Sequence, residues 1–240
     1  MEDIEKLKYN INYQFKKRKL LKEALTHRSY AVEKGLKYDN QRLEFLGDAV
    51  LEIITTEHLF NKYPHMPEGE LTKMRSALVQ GETLAEVARQ IKLGDFIFLG
   101  KGEQGANGHH RNSTLADAFE ALIGALYLDG GNEIAKKFVL NIIEKHLPSP
   151  VELLLSLNPK GILQEFCQKK WGSAPFYPLI SIEGPDHDKI YTVAVAIEEK
   201  TIATGIASKR KNAESEAAKA ALKVFNKDGE VTDWQLANSK

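Results

Sequence analysis

The chain has 240 residues, of which 42 % are hydrophobic, and its 33 basic residues balance its 33 acidic residues. This composition excludes a disordered tail and a fibrous protein, and the length suits one or two globular domains. The one cysteine, Cys167, excludes a disulfide framework and a zinc site built from cysteines. No apolar run approaches the roughly 18–20 residues that span a bilayer, so we expect a soluble, cytoplasmic protein with no membrane partner.

The N-terminal half, residues 4–146, has mainly helical periodicity and no convincing strand pattern. Hydrophobic stripes and glycine boundaries predict helices around residues 20–25, 43–53, 71–78, 84–91, 115–128 and 133–146. In the second of these helices, the expected buried stripe consists of Leu43, Leu46, Val50 and Ile53.

A glycine-rich loop is predicted from Gly100 to Gly108. It contains the pattern G-x-G-x-x-G, which occurs in dinucleotide-binding sites. Such a site needs a helix that opens at the glycines within a strand-helix-strand unit, and here the loop continues instead. We therefore expect no nucleotide cofactor.

Pro148, Pro150 and Pro159 bracket a short connector, after which the periodicity changes. Helices around residues 161–171 and 213–225 enclose three predicted strands, at 176–183, 191–197 and 201–207. This order predicts an antiparallel sheet with two helices over one face. We divide the chain into a helical domain (1–147), a linker (148–157), an α-β-β-β-α domain (158–227) and a tail (228–240).

Two carboxylate pairs lie on two of the predicted helices. Glu44 and Asp48 are four residues apart, and Asp117 and Glu120 are three apart, so each pair shares one helical face. Both helices are otherwise apolar, and a buried charge without a partner is unfavourable. A hard divalent cation such as Mg²⁺ would compensate such carboxylates. The alternatives are that each acid is solvated or pairs with a nearby base, such as Arg42 or Arg111.

At this point the sequence resembles a known family. The segment 40–52, NQRLEFLGDAVLE, looks like the signature of ribonuclease III. ALTHRSYA (24–31), LADAFEALIGALYLD (115–129) and a segment similar to a double-stranded RNA-binding domain (158–227) occur in the order of the bacterial form of that family. The resemblance implies an all-helical nuclease domain followed by an α-β-β-β-α double-stranded RNA-binding domain.

The resemblance also implies an activity. Members of the family are homodimeric endoribonucleases that cleave double-stranded RNA and leave 5′-phosphate and 3′-hydroxyl ends with short 3′ overhangs. They process ribosomal RNA precursors and other structured transcripts, including messenger RNA. Their metal is Mg²⁺, for which Mn²⁺ can substitute.

The family's site residues carry over to positions of this chain. The resemblance implies that the metal ligands are Glu44, Asp48, Asp117 and Glu120, with Asp48 and Glu120 the foremost catalytic residues. Phe45 is implied at the dimer interface, the alternative being an ordinary core phenylalanine. Most family members carry Glu where this chain has Gln41, and that position is expected to support the site and RNA handling together with Glu68.

Several residues of the C-terminal domain are candidates for RNA contacts. A-form RNA presents a wide minor groove to polar side chains and its phosphates to basic ones. We expect minor-groove contacts from Gln164, Glu165, Gln168 and His187, and phosphate contacts from Lys209, Arg210 and Lys211. A solvated helix start is the alternative for the three basic residues.

Two other functions compete with this interpretation. One is an RNA-binding protein with the same two folds and no catalysis, which should have lost at least one of the four acids. The other is a helical metal-dependent phosphohydrolase that acts on small substrates, which the RNA-binding segment argues against. The sequence favours the nuclease.

Overall fold

A computed structural model of the chain describes residues 2–149, 152, 158–185, 188–197 and 199–225. The chain forms two compact units, Met1–Pro64 with Leu71–Ser149, and His65–Glu70 with Pro150–Lys240. None of the helices in the described ranges combines the length and the apolar character needed to cross a membrane. The predicted tail and most of the predicted linker lie outside the described residues, and the domain boundary at 147/148 stays a prediction.

The helical half of the chain contains α1 (Glu2–Ile11), α2 (Arg18–Ala24), α3 (Arg28–Lys34), α4 (Gln41–Lys62), α5 (Glu68–Val79), α6 (Gly81–Gln90), α7 (Lys101–Gly105), α8 (Asn112–Gly130) and α9 (Asn132–His146). The six predicted helices are confirmed as α2, α4, α5, α6, α8 and α9. α1 and α3 had no predicted counterpart.

The prediction of a continuous loop from Gly100 to Gly108 is wrong. α7 and a 3-10 turn at Gly108–His110 occupy most of the segment. α7 forms although it is short and rich in glycine, because its first amide is capped from outside. Glu33 Oε2, on α3, accepts the Lys101 N–H at 2.8 Å. A local glycine signal could not reveal this tertiary contact.

The core of the first unit is built around α8. This helix is apolar nearly all round, and Leu115, Phe119, Leu122, Ile123 and Leu126 are all at most 2 % exposed. It packs against α2, α4, α6 and α9. A helix that is hydrophobic on every side belongs inside the molecule, so α8 forms the centre of the unit.

The predicted buried stripe of α4 is correct at Leu43 and Val50 but wrong at Ile53, which is 61 % exposed. The buried face runs instead through Leu43, Gly47, Val50, Leu51 and Ile54. This face includes Gly47 because the α8 backbone lies directly against it. α4 therefore has a second apolar face that its own unit does not cover.

The second unit contains α10 (Pro159–Trp171), β1 (Leu179–Glu183), β2 (Ile190–Ile197), β3 (Lys200–Ala207) and α11 (Arg210–Phe225). The strands form an antiparallel sheet in the order β1-β2-β3. α11 packs on β2 and β3, and α10 packs on α11. The predicted α-β-β-β-α order is confirmed.

The first strand is shorter than predicted. It begins at Leu179 instead of Phe176, and Phe176 forms an isolated bridge with Ala196. Pro178 interrupts the ladder because proline has no N–H to donate. Its carbonyl still accepts the Ala194 N–H at 2.9 Å, so the segment stays beside β2.

Candidate functional site

The four predicted ligands flank the contact between α4 and α8. A Cβ atom on Gly47 would collide with the Glu120 carbonyl oxygen, and one on Gly124 would collide with the Leu43 carbonyl oxygen. The two helix backbones therefore touch without intervening side chains. Glu44 and Asp48 lie on α4 on either side of Gly47, and Asp117 and Glu120 lie on α8 just before Gly124. The close approach thus brings the two carboxylate pairs to one place.

Burial and mutual repulsion both act on these carboxyl groups. Desolvation, followed by repulsion from Asp48, Glu44 and Asp117, raises the pKa of Glu120 to about 8. Desolvation also raises the pKa of Glu44, with further repulsion from Asp117, Asp39 and Asp48. The four acids form one cluster, which we call the acidic cluster.

Within the described part of the chain, no ion pair neutralises the acidic cluster. Arg111 is paired elsewhere, with its Nη1 atom 2.8 Å from Glu103 Oε2. Desolvation raises the pKa of Asp117, and its electrostatic interaction with nearby His27 opposes that rise only in part. Pairing with Arg111 is therefore wrong as an explanation of these acids, and no ion pair with Arg42 is seen among the described residues.

The donor set fits a hydrated Mg²⁺ ion better than a preformed cage. Among the described residues, no three His, Cys, Asp or Glu side chains lie close enough together to enclose a metal by themselves. Mg²⁺ keeps several waters and substrate oxygens and needs only one or two carboxylates. An uncompensated cluster of carboxylates with a raised Glu120 pKa is the environment that such a cation would stabilise.

The two supporting positions lie at helix starts. Gln41 is the exposed first residue of α4, and its N–H donates to Asp39 Oδ1 at 3.1 Å. Gln41 also lines a cavity beside Glu44 and Asp117. Glu68 is exposed in the first turn of α5, within the residues grouped with the second unit. Its supporting role stays a prediction.

Phe45 is not a core residue, because 82 % of it is exposed. Further along α4, Ile53 and Phe60 are also exposed, by 61 % and 68 %. Ala49, also exposed, lies between Phe45 and Ile53. The spacing of these residues places them on one side of the helix. We call this the α4 apolar face; exposed apolar patches of this kind mark interaction surfaces.

The predicted minor-groove residues lie on α10 where the structure describes them. Gln164 and Gln168 are exposed and Glu165 is half-buried. Gln168 Nε2 donates to the Gly172 carbonyl at 3.2 Å, at the C-terminal end of the helix. His187 lies outside the described residues.

The three basic candidates are exposed at the start of α11. Arg210 is partly neutralised, because its Nε atom lies 3.2 Å from Glu214 Oε1. Glu214 also pairs with Lys160 at 2.5 Å, and this hydrogen bond lowers the Glu214 pKa most. Lys209 and Lys211 form no ion pair with the described residues, so they are the more available for phosphate.

Sequence reasoning missed the residues that position the acidic cluster. Gly47 and Gly124 each interrupt a long apolar helix, where glycine is unfavourable by about 1 kcal/mol relative to alanine, and that was an available signal. His27 and Asn40 also lie beside the acids, on the cavity that includes Gln41. Nothing in their local pattern marked them.

Comparison with known proteins covers both units. The family model for Ribonuclease-III-like proteins matches residues 17–147, and the model for the double-stranded RNA binding motif matches residues 159–224. Ribonuclease 3 of Campylobacter jejuni subsp. jejuni serotype O:6 is 43 % identical over 222 residues, which cover 92 % of this chain and 97 % of that protein. Ribonuclease 3 of Nitratiruptor sp. is 42 % identical over 225 residues, with coverages of 94 % and 98 %.

Two solved structures resemble the helical half. One is the nuclease domain of ribonuclease III from Campylobacter jejuni, with 45 % identity, a TM-score of 0.59 and coverage of 62 % of this chain and 99 % of that one. A second structure of that domain concerns flexibility in the region involved in dimer formation, with 46 % identity, a TM-score of 0.58 and coverages of 60 % and 99 %. Since the matches span most of the chain and of its relatives, this chain belongs to the ribonuclease III family of double-stranded RNA endonucleases.

Proposed function

We propose that the chain hydrolyses phosphodiester bonds of double-stranded RNA at Glu44, Asp48, Asp117 and Glu120, with Mg²⁺ as its metal and Mn²⁺ as a substitute. The observation that carries this proposal is the uncompensated acidic cluster at the α4–α8 contact, in which burial and repulsion raise the pKa of Glu120 to about 8. Carboxylates held in this way bind a divalent cation once they lose their protons.

Asp48 and Glu120 are the proposed catalytic pair. Asp48 is exposed and can meet an arriving RNA strand, while Glu120 is half-buried beneath it. A bound Mg²⁺ would supply an activated water and stabilise the negative charge of the leaving oxygen. Water attacks phosphorus, the bond to the 3′ oxygen breaks, and that oxygen takes a proton, which leaves a 5′-phosphate and a 3′-hydroxyl.

A homodimer is part of the proposal. The α4 apolar face runs along one helix from Phe45 to Phe60, and its large side chains are exposed. A second copy of the chain would cover it. Two active sites, each cutting one strand, would then leave short 3′ overhangs. A region involved in dimer formation in the nuclease domain from Campylobacter jejuni supports this choice of partner.

RNA would be held by the second unit. Gln164, Glu165, Gln168 and His187 would contact the minor groove, and Lys209, Arg210 and Lys211 the phosphates. Gln41 and Glu68 would support the site and RNA handling. We propose ribosomal RNA precursors and other structured transcripts as substrates, in the cytoplasm, where the free thiol of Cys167 would stay reduced.

The test is cleavage of a long end-labelled RNA duplex by the wild type and by Glu120→Ala, with Mg²⁺ and with EDTA. We expect metal-dependent cutting into short duplexes that the variant loses while duplex binding remains. Tight binding without cutting under Mg²⁺ or Mn²⁺ would favour the non-catalytic alternative. Gln41→Glu would then be the first variant to test for cleavage. Turnover of small phosphodiesters that survives removal of residues 150–240 would favour the small-substrate alternative.

A further inference from the structure

A cavity of about 520 Å³ opens beside the acidic cluster, where the starts of α3 and α4 meet. Glu44 and Asp117 are part of its lining. The lining also contains hydrogen-bond donors, namely His27, Arg28, Asn40 and Gln41. Cavities of this size hold small ligands and parts of larger ones. Gln41 has a proposed role in RNA handling, whereas His27, Arg28 and Asn40 have no proposed ligand.

Asn40 offers the cavity a side-chain amide that the fold itself does not use. The residue is only 3 % exposed, and its backbone N–H and carbonyl are both used, bonding to the Thr26 carbonyl and the Glu44 N–H. Its side-chain amide forms no hydrogen bond with any described residue, although it precedes α4. Asn40 lines the cavity, and its amide is not among the fully buried side-chain atoms that lack a partner. The amide is therefore accessible from the cavity and can donate a hydrogen bond to a ligand there.

His27 presents a fixed donor to the same cavity. The Ser29 backbone N–H donates to His27 Nδ1 at 3.2 Å, and a backbone N–H can only donate. Nδ1 is therefore the acceptor, and the ring carries its N–H at Nε2. Ser29 Oγ lies 2.8 Å from Nδ1 and accepts the Gly100 N–H at 3.0 Å, which holds the arrangement in place.

Arg28 adds a positive charge to the lining of the cavity. Its side chain is exposed and forms no ion pair with the described residues. The cavity is thus lined both by neutral and cationic donors and by two carboxylates. A ligand that fits this lining carries an anionic acceptor for the donors and a group that the acidic cluster and its cation can bind. Two successive phosphates of an RNA strand have this character.

We propose that this cavity binds the phosphodiester next to the scissile one on the strand being cut, through Asn40, Arg28 and the Nε2–H of His27. This inference rests on the proposed function, which puts the scissile phosphate at the acidic cluster. The three donors hold the neighbouring phosphate and so fix the position of the strand against Glu44 and Asp117. They are positioning residues for the reaction.

The test uses single-turnover cleavage by the full chain of a duplex whose cut position has been mapped. Each phosphate beside the scissile one is replaced in turn by an uncharged methylphosphonate on a 2′-deoxy nucleotide. A matched substrate carries the same 2′-deoxy nucleotide with an ordinary phosphate. For the wild type, we expect one of the two replacements to slow cleavage about tenfold relative to its matched substrate, because it weakens charged hydrogen bonds.

Asn40→Ala should slow cleavage of the matched substrate by about tenfold. The methylphosphonate should then slow it further by less than about threefold, since both changes act on one contact. Asn61→Ala is the control, because Asn61 lies on α4, the helix that follows Asn40, and its amide already donates to the Glu57 carbonyl at 2.8 Å. The proposal would be overturned if the methylphosphonate slowed Asn40→Ala by the same factor as the wild type. It would also be overturned if neither replacement slowed cleavage by the wild type.

A pair of His27 variants separates the donor from the cap of α3. His27→Asn keeps an acceptor for the Ser29 N–H but lacks the distal N–H, so it should keep its melting temperature and lose rate. His27→Gln offers a more distant amide N–H and should recover rate. Equal rates in wild type and His27→Asn would overturn the assignment of His27.

Two further measurements distinguish a variant that fails to fold, or a wrong proposed function, from a wrong proposal about the cavity. Arg28 is exposed, so Arg28→Ala gives the same substrate test should Asn40→Ala fail to fold. A wild type that does not cut the unmodified duplex with Mg²⁺ would overturn the proposed function itself. If only the proposal about the cavity is wrong, the wild type would still cut the unmodified duplex with Mg²⁺.

Discussion

Gly47 and Gly124 face each other across the contact between α4 and α8, and a Cβ atom on Gly47 would lie 2.9 Å from the Gly124 backbone nitrogen. The helices meet through peptide groups instead of side chains. Because the four carboxylates lie within about two turns of these glycines, the separation of the acids is set by backbone contact.

Replacing either glycine should therefore damage both stability and the site. We expect Gly47→Ala or Gly124→Ala to lower the free energy of unfolding by about 3 kcal/mol or more, since the obstructing atoms are backbone. Gly102→Ala is the control, because a Cβ there meets nothing within 4 Å. Urea titration gives the comparison, and equal stabilities for Gly47→Ala and Gly102→Ala would refute the close contact.

Glu120 should make the metal-free protein less stable as the pH rises. Its folded-state pKa of about 8 lies above the ordinary 4.5, so the folded chain holds a proton that the unfolded chain releases. Stability is therefore lost between about pH 4.5 and 8. In EDTA, Glu120→Gln should melt like the wild type near pH 4.5 and higher above pH 8, by about 2–4 °C for each kcal/mol relieved. A difference that does not change with pH would contradict this.

Asp129 should stabilise the N-terminal segment against the end of α8. Its two oxygens accept the Lys16 and Lys17 N–H groups, each at 2.8 Å, and the Tyr13 hydroxyl at 2.9 Å. Asp129→Asn leaves one N–H facing an amide donor and should reduce the free energy of unfolding by about 2 kcal/mol. Tyr13→Phe, which removes one bond, should reduce it by about 1 kcal/mol.

The pH dependence of that contact has the opposite sign to that of Glu120. Burial alone would raise the pKa of Asp129, but the two backbone N–H groups and Tyr13 outweigh it, so the pKa is lowered. The stabilisation is present above the ordinary pKa of 3.8 and is lost as the pH falls through the folded-state value. Acid titration of the wild type and of Asp129→Asn should therefore converge at low pH.

Lys209 and Lys211 should account for much of the salt dependence of RNA binding. Replacing both with alanine should reduce the slope of log affinity against log salt by about two, one unit for each lost phosphate contact. Binding is measured in EDTA to prevent cleavage. Lys219→Ala is the control, because Lys219 lies on the same helix but pairs with Glu216 at 2.8 Å. Slopes that match across all three proteins would exclude a phosphate contact.

Phe45→Ala should weaken self-association by about 30-fold, as expected when a large aromatic side chain that becomes buried in an interface is truncated. Sedimentation velocity over a range of concentrations gives the dissociation constant. Tyr9→Ala is the control, since Tyr9 is 75 % exposed and lies on α1. Unchanged association in Phe45→Ala would show that the α4 apolar face serves some other contact.

The order of elements and the identity of the acids could be predicted because they depend on local periodicity and on a long family resemblance. α8 reads as buried from its composition alone, and Glu44 and Asp48 share a face by spacing. α7 could not be predicted, because its first amide depends on Glu33 of another helix. The exposure of Ile53 depends on where the α8 backbone lies, which no pattern within α4 records.

On α4, two of the four acids are next in sequence to residues of the α4 apolar face: Glu44 precedes Phe45, and Asp48 precedes Ala49. If two copies of the chain meet through that face, the rigid helix α4 fixes the distance from the dimer contact to each active site. The offset between the two cuts would then not depend on which bases are present, and every product would have the same overhang.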